Sequence, residues 1–495
     1  MAKQVVLDEK GHRKFGMRDK LAYAAGDFGC NMSFALKGTV QTFWLVYMMM
    51  ETGLLSLLLL VVQIWDAIND PMIGALIDAD RRKYKMGKFK TYIFIGACGL
   101  LIGGAAVFLP FPGANTIVKA VLFIVGYIIW DAFYTIANVP YGSMLSLVTE
   151  DAGERAQLST WRSVGSMFGN MLPMVILPML IWEKVFDANG NPVLNPETGE
   201  QVQNLLGERV FWVALLMGVL GFIAFLFMIK TITVRVDENS IKTNEATAKF
   251  NVFKAFGNFL KNRPAVGATL AAMGMFFGMQ SANTATSIMF AIYFGKAELS
   301  GVVMLIGFLP MFLFMPFIKK IVGKYGKKEA SVAGAVASLL GGALMFVFPA
   351  IPNKGTALIV YMLALIVFGL GMGIYTCVSW ALMADAIDYN EWKCGVREEG
   401  TVYSLHSFFR KLAQGVGPSI VLLIMGALGY DSNLGVGAQT AATANNMCWL
   451  VAALYTLSAV MMVVGIAFIY NLDKKTLETM NAELAERRSV GASAE

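Results

Sequence analysis

LLSLLLLVVQIWDAINDPMIGALID, running from Leu54 to Asp78, is about as long as a helix must be to cross a bilayer, yet it carries Asp66 and Asp70 near its middle. Four residues apart on a helix, the two carboxylates project from one face. An acid at the centre of a membrane helix costs roughly 2.5–3.5 kcal/mol on insertion scales, and each Leu, Ile or Val returns only about 0.3–0.6 kcal/mol. The pair therefore offsets most of what the apolar residues of this segment supply, and its presence needs a reason.

Two readings compete. In one, basic residues on neighbouring helices neutralise both carboxylates and lock the bundle. In the other the pair is a cation site, because two acids this close do not both stay ionised at low dielectric unless a cation sits between them or one takes up a proton. Pro71 removes the amide that would bond the carbonyl of Ala67 and so frees a hard oxygen beside the acids, and Asn69 offers another. Carboxylate, amide and carbonyl oxygens suit sodium or a proton better than a soft metal.

Working outward, the 495 residues are 57% hydrophobic and 15% charged, which excludes an ordinary soluble enzyme and points to a polytopic membrane protein. The net charge of +6 gathers in RRKYKMGKFK (Arg81 to Lys90), KKIVGKYGKK (Lys319 to Lys328), the amino-terminal arm and the tail, which the positive-inside rule places in the cytoplasm. Residues 1–18 lack an apolar core, so no cleavable signal is expected and the first span directs insertion. Five scattered cysteines indicate neither a disulfide framework nor a metal cluster, and two histidines leave little room for histidine chemistry.

Apolar stretches long enough to span fall at about 20–50, 54–78, 91–111, 116–145, 158–182, 210–229, 264–294, 300–318, 330–350, 356–383, 401–427 and 447–470, twelve in all. The basic loops 79–90, 146–157, 230–263, 319–329 and 384–400 are then cytoplasmic, with both termini on that side. The polar, turn-rich stretch 183–209 reads as an extracytoplasmic loop, a small hairpin or irregular lid. The segment 230–263 reads as a linker ending in an amphipathic helix at Phe250, Val252, Phe253, Phe256, Phe259 and Leu260. This predicts an all-α membrane protein with a six-helix bundle over 1–229, the linker 230–263, a second six-helix bundle over 264–470 and a cytoplasmic tail over 471–495. Such a repeat arrangement places a substrate site near the midplane, around a central cavity.

Polar groups inside the spans carry the functional signal, because lipid offers them no partners. The first span has Asp27 and Asn31 one turn apart with Lys37 deeper; the fourth puts Asp131, Thr135 and Asn138 on one face with Tyr134 adjacent. Arg162 opens the fifth, Gln280, Asn283 and Thr284 lie in the seventh, and His406, Ser407, Arg410, Lys411 and Gln414 in the eleventh. No catalytic triad order, zinc spacing or phosphate loop emerges. Donors and acceptors spread over many helices suit a hydroxyl-rich ligand, and Trp130, Tyr134, Tyr141 and Tyr375 are candidate aromatic platforms, although aromatics in such helices also pack or anchor. For Lys37, Arg162 and Lys411 the structural alternative is pairing with Asp66, Asp70 or Asp131.

GDFGCN in the first span, IWDAINDPMIG followed by MGKFK in the second, YTIANVPYGS in the fourth, ERAQLSTWR leading into the fifth and ADAIDYNEWKCGVREEG before the eleventh together resemble the glycoside-pentoside-hexuronide:cation symporters of the major facilitator superfamily. The resemblance covers nearly the whole chain. It implies a cation site at Asp66, Asn69, Asp70 and Thr135, with sodium held chiefly by Asp66 and Asp70. It implies sugar contacts at Asn31, Asn138 and Arg162, with Lys411 near both sites and His406 and Ser407 one turn before it. Lys37, Asp131 and Tyr134 complete the expected substrate set.

Melibiose permease, a member of that family, carries aspartates where this chain has Asn31 and Asn138. With Lys37, Arg162, Arg410 and Lys411 retained, the cavity is expected to be less negative and the substrate to carry an acidic group, Asp131 restoring one negative charge. The charged stretch after the last span, from Leu472 onward, gives no reason to expect regulation through a fused phosphotransferase-like domain. The expected mechanism is symport by alternating access. Sodium or a proton enters at Asp66 and Asp70, the sugar follows, and one charge crossing the membrane supplies about 2.3 kcal/mol per 100 mV. Arg155, Asp385, Asp388 and Arg397 are expected to pair as a cytoplasmic gate, or simply to hold a solvated loop. No cofactor beyond the coupling ion and no nucleic acid is expected, and the chain is read as a monomer in the bacterial inner membrane. The alternatives are a translocator of lysolipids or other amphiphiles on the same fold, a channel, which lacks a symmetric charged ring, and a membrane enzyme, which lacks a catalytic constellation.

Overall fold

The computed structural model of the chain describes residues 13–80, 82–149, 151–236, 252–314, 316–395 and 399–492. These residues form two compact units. The first comprises the described residues within 1–193, 203–246 and 431–437, and the second those within 194–202, 247–430 and 438–495.

In the first unit the helices are α1 (Met17–Phe34), α2 (Leu36–Thr42), α3 (Thr52–Ala79), α4 (Lys88–Ala106), α5 (Thr116–Val148), α6 (Ala152–Ile181) and α7 (Gly207–Thr231). The side chains of Asn115 and Asp151 cap the starts of α5 and α6 by accepting from Val118 N and Glu154 N. Along α3, Leu57, Val61, Ile64, Ile68, Met72 and Leu76 recur every three or four residues and all stand exposed. An outward apolar stripe of that length is stable in hydrocarbon and not in water. The remaining face of α3 turns toward α5. α1 packs on α6 and α7, and α4 on α5 and α7. Close approach of α1 and α6 depends on a missing side chain, since a Cβ at Gly165 would meet the carbonyl oxygen of Ala24. Buried aromatics tie the bundle by their polar ends: Trp130 Nε1 donates to Ser33 Oγ at 2.6 Å, Trp44 Nε1 to Val107 O at 3.0 Å, and Tyr141 OH to Tyr23 O at 2.8 Å.

The second unit holds α8 (Val252–Lys261), α9 (Arg263–Ile292), α10 (Ser300–Phe314), α11 (Ile318–Tyr325), α12 (Lys327–Leu344), α13 (Lys354–Cys394), α14 (Glu399–Ala427), α15 (Ala441–Val463) and α16 (Lys474–Ala492). α9 lies between α14 and α15, while α13 packs on α10 and α12. Asn262, Asn353 and Thr440 cap α9, α13 and α15, and α13 ends on Gly395 in the left-handed conformation.

Ten helices among the described residues are long and apolar enough to cross a membrane. The two expected spans outside that set are informative. The first is divided, because α1 stops at Phe34 and α2 resumes at Leu36 before the chain loosens into a π turn over Phe43–Tyr47. The eighth is α10, apolar but short.

The amphipathic helix expected at the end of the linker is α8. Phe259 is buried and Leu260 exposed, and the rings of Phe256 and Phe259 lie 6.0 and 6.1 Å from that of Phe409 on α14. Residues 237–251 of the linker lie outside the described residues. The expected hairpin in 183–209 is present as well. β1 (Trp182–Lys184) and β2 (Gln203–Leu205) pair antiparallel, with Trp182 opposite Leu205. Beyond the strands, the Asp187 carboxylate accepts from the backbone amides of Asn189 and Asn191 at 2.8 Å each, and those bonds hold its pKa below the usual carboxylate value. Residues 194–202 belong to the second unit. There Asn195 Nδ2 donates to Gln439 O at 3.0 Å, Ala441 N donates to Glu197 Oε2 at 3.0 Å, and Lys354 stands 3.9 Å from Glu200.

Candidate functional site

The carboxylates of α3 stand where helical spacing puts them, and what they meet comes from α5 and α2. Asn69 is fully buried against α5 and donates its amide to Thr135 Oγ1 at 2.9 Å and to Asp131 Oδ2 at 3.1 Å. Thr135 in turn donates to Asp70 Oδ1 at 2.9 Å. The chain Asp131–Asn69–Thr135–Asp70 is thus continuous. Within it, Oδ1 of Asn69 and Oδ1 of Asp131 are buried and accept no hydrogen bond among the described residues. Asp66, one turn before Asp70, lies 3.6 Å from the Nζ of Lys37 in the first turn of α2. The same ammonium stands 5.0 Å from the centre of the Phe34 ring.

Lys37 and Asp131, expected among the substrate contacts, therefore join the carboxylate cluster. The reason is helix placement: α2 and α5 both present their polar residues to the face of α3 that carries the acids. Among the described residues no three His, Cys, Asp or Glu side chains converge closely enough to hold a metal ion by themselves. An ion here would take part of its shell from amide and hydroxyl oxygens, and the two donorless oxygens of Asn69 and Asp131 are of the hard type that sodium prefers. The helix continues through Pro71, so the proline does not break it.

A second cluster forms where α1 meets α6. Arg162 Nε donates to Asp27 Oδ1 at 3.1 Å, Asn31 Nδ2 donates to Asp27 Oδ2 at 3.1 Å, and Asn170 Nδ2 donates to Asn31 Oδ1 at 2.6 Å. The guanidinium of Arg162 also lies 5.1 Å from the centre of the Tyr141 ring, which stacks on Tyr23 at 4.8 Å. Asn138 and Tyr134 are half-buried on α5, and Tyr134 packs at 5.9 Å against Phe34. Asp27 and Asn170 were absent from the expected site. Asp27 was visible as an acid one turn from Asn31; Asn170 is an amide in an apolar helix and carried that weaker signal alone.

In the second unit, His406 is buried on α14 with Nδ1 2.9 Å from Thr269 Oγ1 of α9. Ser407 is half-buried and Lys411 exposed on the same helix. Of the expected gate, Asp385 takes both its oxygens to Lys327 of α12, at 2.6 and 2.8 Å, and Arg155 gives its Nε to Thr149 O at 2.9 Å. Asp388 lies on α13 near its end, and Arg397 lies outside the described residues.

The described helices thus enclose an oxygen-lined carboxylate cluster and an arginine–amide cluster, polar groups that lipid would leave without partners. The sequence profile of the MFS/sugar transport protein family matches residues 22–474, and the chain belongs to that family. It is 29% identical over 474 residues to the uncharacterized symporter YjmB of Bacillus subtilis, covering 94% of this chain and 95% of that one. It is 27% identical over 434 residues to the glucuronide carrier protein homolog of Escherichia coli, covering 85% and 86%. Among solved structures it is similar to the crystal structure of a D-xylose-proton symporter, with a TM-score of 0.56 at 16% identity over 89% of this chain and 95% of that one. That likeness bears on the fold, which is the all-α architecture of the major facilitator superfamily.

Proposed function

We propose that the chain is a cation-coupled symporter of the glycoside-pentoside-hexuronide type, carrying a sugar or glycoside inward across a bacterial inner membrane by alternating access. One observation carries the coupling ion: Oδ1 of Asn69 and Oδ1 of Asp131 are acceptors without donors, buried beside the Thr135–Asp70 bond. Such oxygens are costly in a dry interior until a cation or proton completes them. In this reading Asp66, Asn69, Asp70 and Thr135 take the ion, sodium or a proton, with Asp131 contributing. Arg162, Asp27, Asn31 and Asn170, with Asn138 and Tyr134, meet the hydroxyls of the sugar, and His406, Ser407 and Lys411 supply further contacts. The names of the relatives, a symporter and a glucuronide carrier homolog, support both halves of the reading. The basic loops and both termini face the cytoplasm.

The test is uptake of a glycoside panel into membrane vesicles with sodium and proton gradients imposed independently. Accumulation is expected to follow one of the two gradients. Asp66→Asn or Asp70→Asn is expected to abolish accumulation while leaving sugar exchange measurable. Undiminished ion-driven accumulation after both substitutions would refute the proposal.

A further inference from the structure

Three of the bases singled out by position or sequence have a carboxylate: Lys37 has Asp66, Arg162 has Asp27 and Lys327 has Asp385. Arg410 does not. It sits on α14 about 12 Å along the helix from Val402, where that span begins, and its surroundings are aromatic. Its guanidinium carbon lies 4.9 Å from the centre of the Phe276 ring on α9 and 5.5 Å from that of Trp380 on α13. Among the described residues it has no ion pair, and its Nε is buried with no hydrogen-bond acceptor. Cation–π contact compensates the charge only in part, and the guanidinium keeps a fork of N–H donors with which to meet a planar anion.

What lies beside it is a platform. Trp380 is 50% exposed and Tyr403 48% exposed, and the two rings stack at 6.0 Å with 26° between their planes. His406 meets Trp380 edge-on at 5.9 Å, with Nδ1 already engaged by Thr269. Lipid would satisfy the exposed rings but not the arginine. A sugar ring carrying an acidic group satisfies both: its C–H face lies on the indole, and its anionic oxygens take two parallel N–H donors of the guanidinium.

We propose that Arg410, framed by Phe276 and Trp380, is an anion subsite that reads a carboxylate or sulfonate on the sugar, with the Trp380–Tyr403 pair supporting the ring. This rests on the chain being a sugar transporter. It makes α14 select for charge through Arg410, a residue that the resemblance does not assign to the sugar.

The probes are methyl glucuronide and methyl glucoside, which differ only in the acidic group, offered to vesicles and to purified full-length protein. The wild type is expected to prefer the glucuronide. Arg410→Gln is expected to raise the half-saturating glucuronide concentration roughly tenfold or more while leaving that for the glucoside unchanged. Arg410→Lys, which keeps the charge and controls for folding, should recover part of the loss. The subsite is overturned if the wild type carries the glucoside in preference, or if Arg410→Gln weakens both sugars equally, as a packing role would. Failure of the transporter reading looks different: no member of the glycoside panel is accumulated by the wild type at all.

Discussion

At Asp66 the nearest charge is an ammonium group, 3.6 Å away on Lys37, with both side chains mostly buried. At that separation a unit charge acts on its partner with about 4 kcal/mol at an effective dielectric near 20, so retention of even a third of it is about tenfold in affinity. If Asp66 takes the coupling ion as proposed, Lys37 competes with it. Lys37→Met is expected to lower the half-saturating sodium concentration by about tenfold, measured as radioactive sodium binding to the purified protein. Unchanged or weaker binding would mean that the lysine only braces α2 against α3. Asp19 shows the contrasting use of buried charge. It is fully buried and takes Arg13 at 2.6 Å and Arg235 at 2.9 Å, while its backbone neighbours supply further donors. With every lone-pair direction occupied, it has the character of a brace and no room for a ligand.

Among the elements, the hairpin region sets two acids in opposite environments. Backbone amides hold Asp187 below the usual carboxylate range, so its contribution to stability is present above its ordinary value of about 3.8 and is lost only in stronger acid. Burial pushes Glu200 up, with Lys354 and Lys296 only partly opposing it. A raised carboxyl stabilises the fold below its ordinary value of about 4.5, and that benefit disappears as the pH climbs through the raised value. Above that value, an ionised Glu200 is a net cost to the 194–202 segment. Glu200→Gln is expected to raise the melting temperature of the purified protein at neutral pH and to flatten its dependence on pH in the acid range. A lower melting temperature would show that the pairing with Lys354 outweighs burial. α3 makes the complementary point about elements: its exposed stripe from Leu57 to Leu76 and its acidic face are two sides of one periodicity.

At the scale of the whole molecule, the distribution of charge sets the proposed orientation. Basic residues crowd the loop around Arg81 to Lys90, whereas the 183–209 stretch is acidic. A single cysteine at the exposed hairpin position Asn189 is expected to react with a membrane-impermeant maleimide on intact cells, above the background of the native cysteines. One at the exposed Lys85 should react only after the membrane is opened. Labelling in the reverse order would invert the topology and the direction of transport with it.

Much was legible beforehand. Hydropathy marked the spans, the polar interruption at 183–209 marked the hairpin, and the spacing of Asp66 and Asp70 put both acids on one helical face. What periodicity leaves open is which neighbouring helix a face meets. Asn69 finds Asp131 and Thr135 at separations of 62 and 66 residues, Arg162 finds Asp27 across 135, and Asn170 finds Asn31 across 139. Such pairings are consequences of packing, so only the tertiary structure moved Lys37 and Asp131 into the acidic cluster and left Arg410 among aromatic rings. The sequence by itself determined that charge is buried in these helices, because insertion energies are local and additive. The fold decided who answers each charge, because that depends on contacts between segments far apart in the chain.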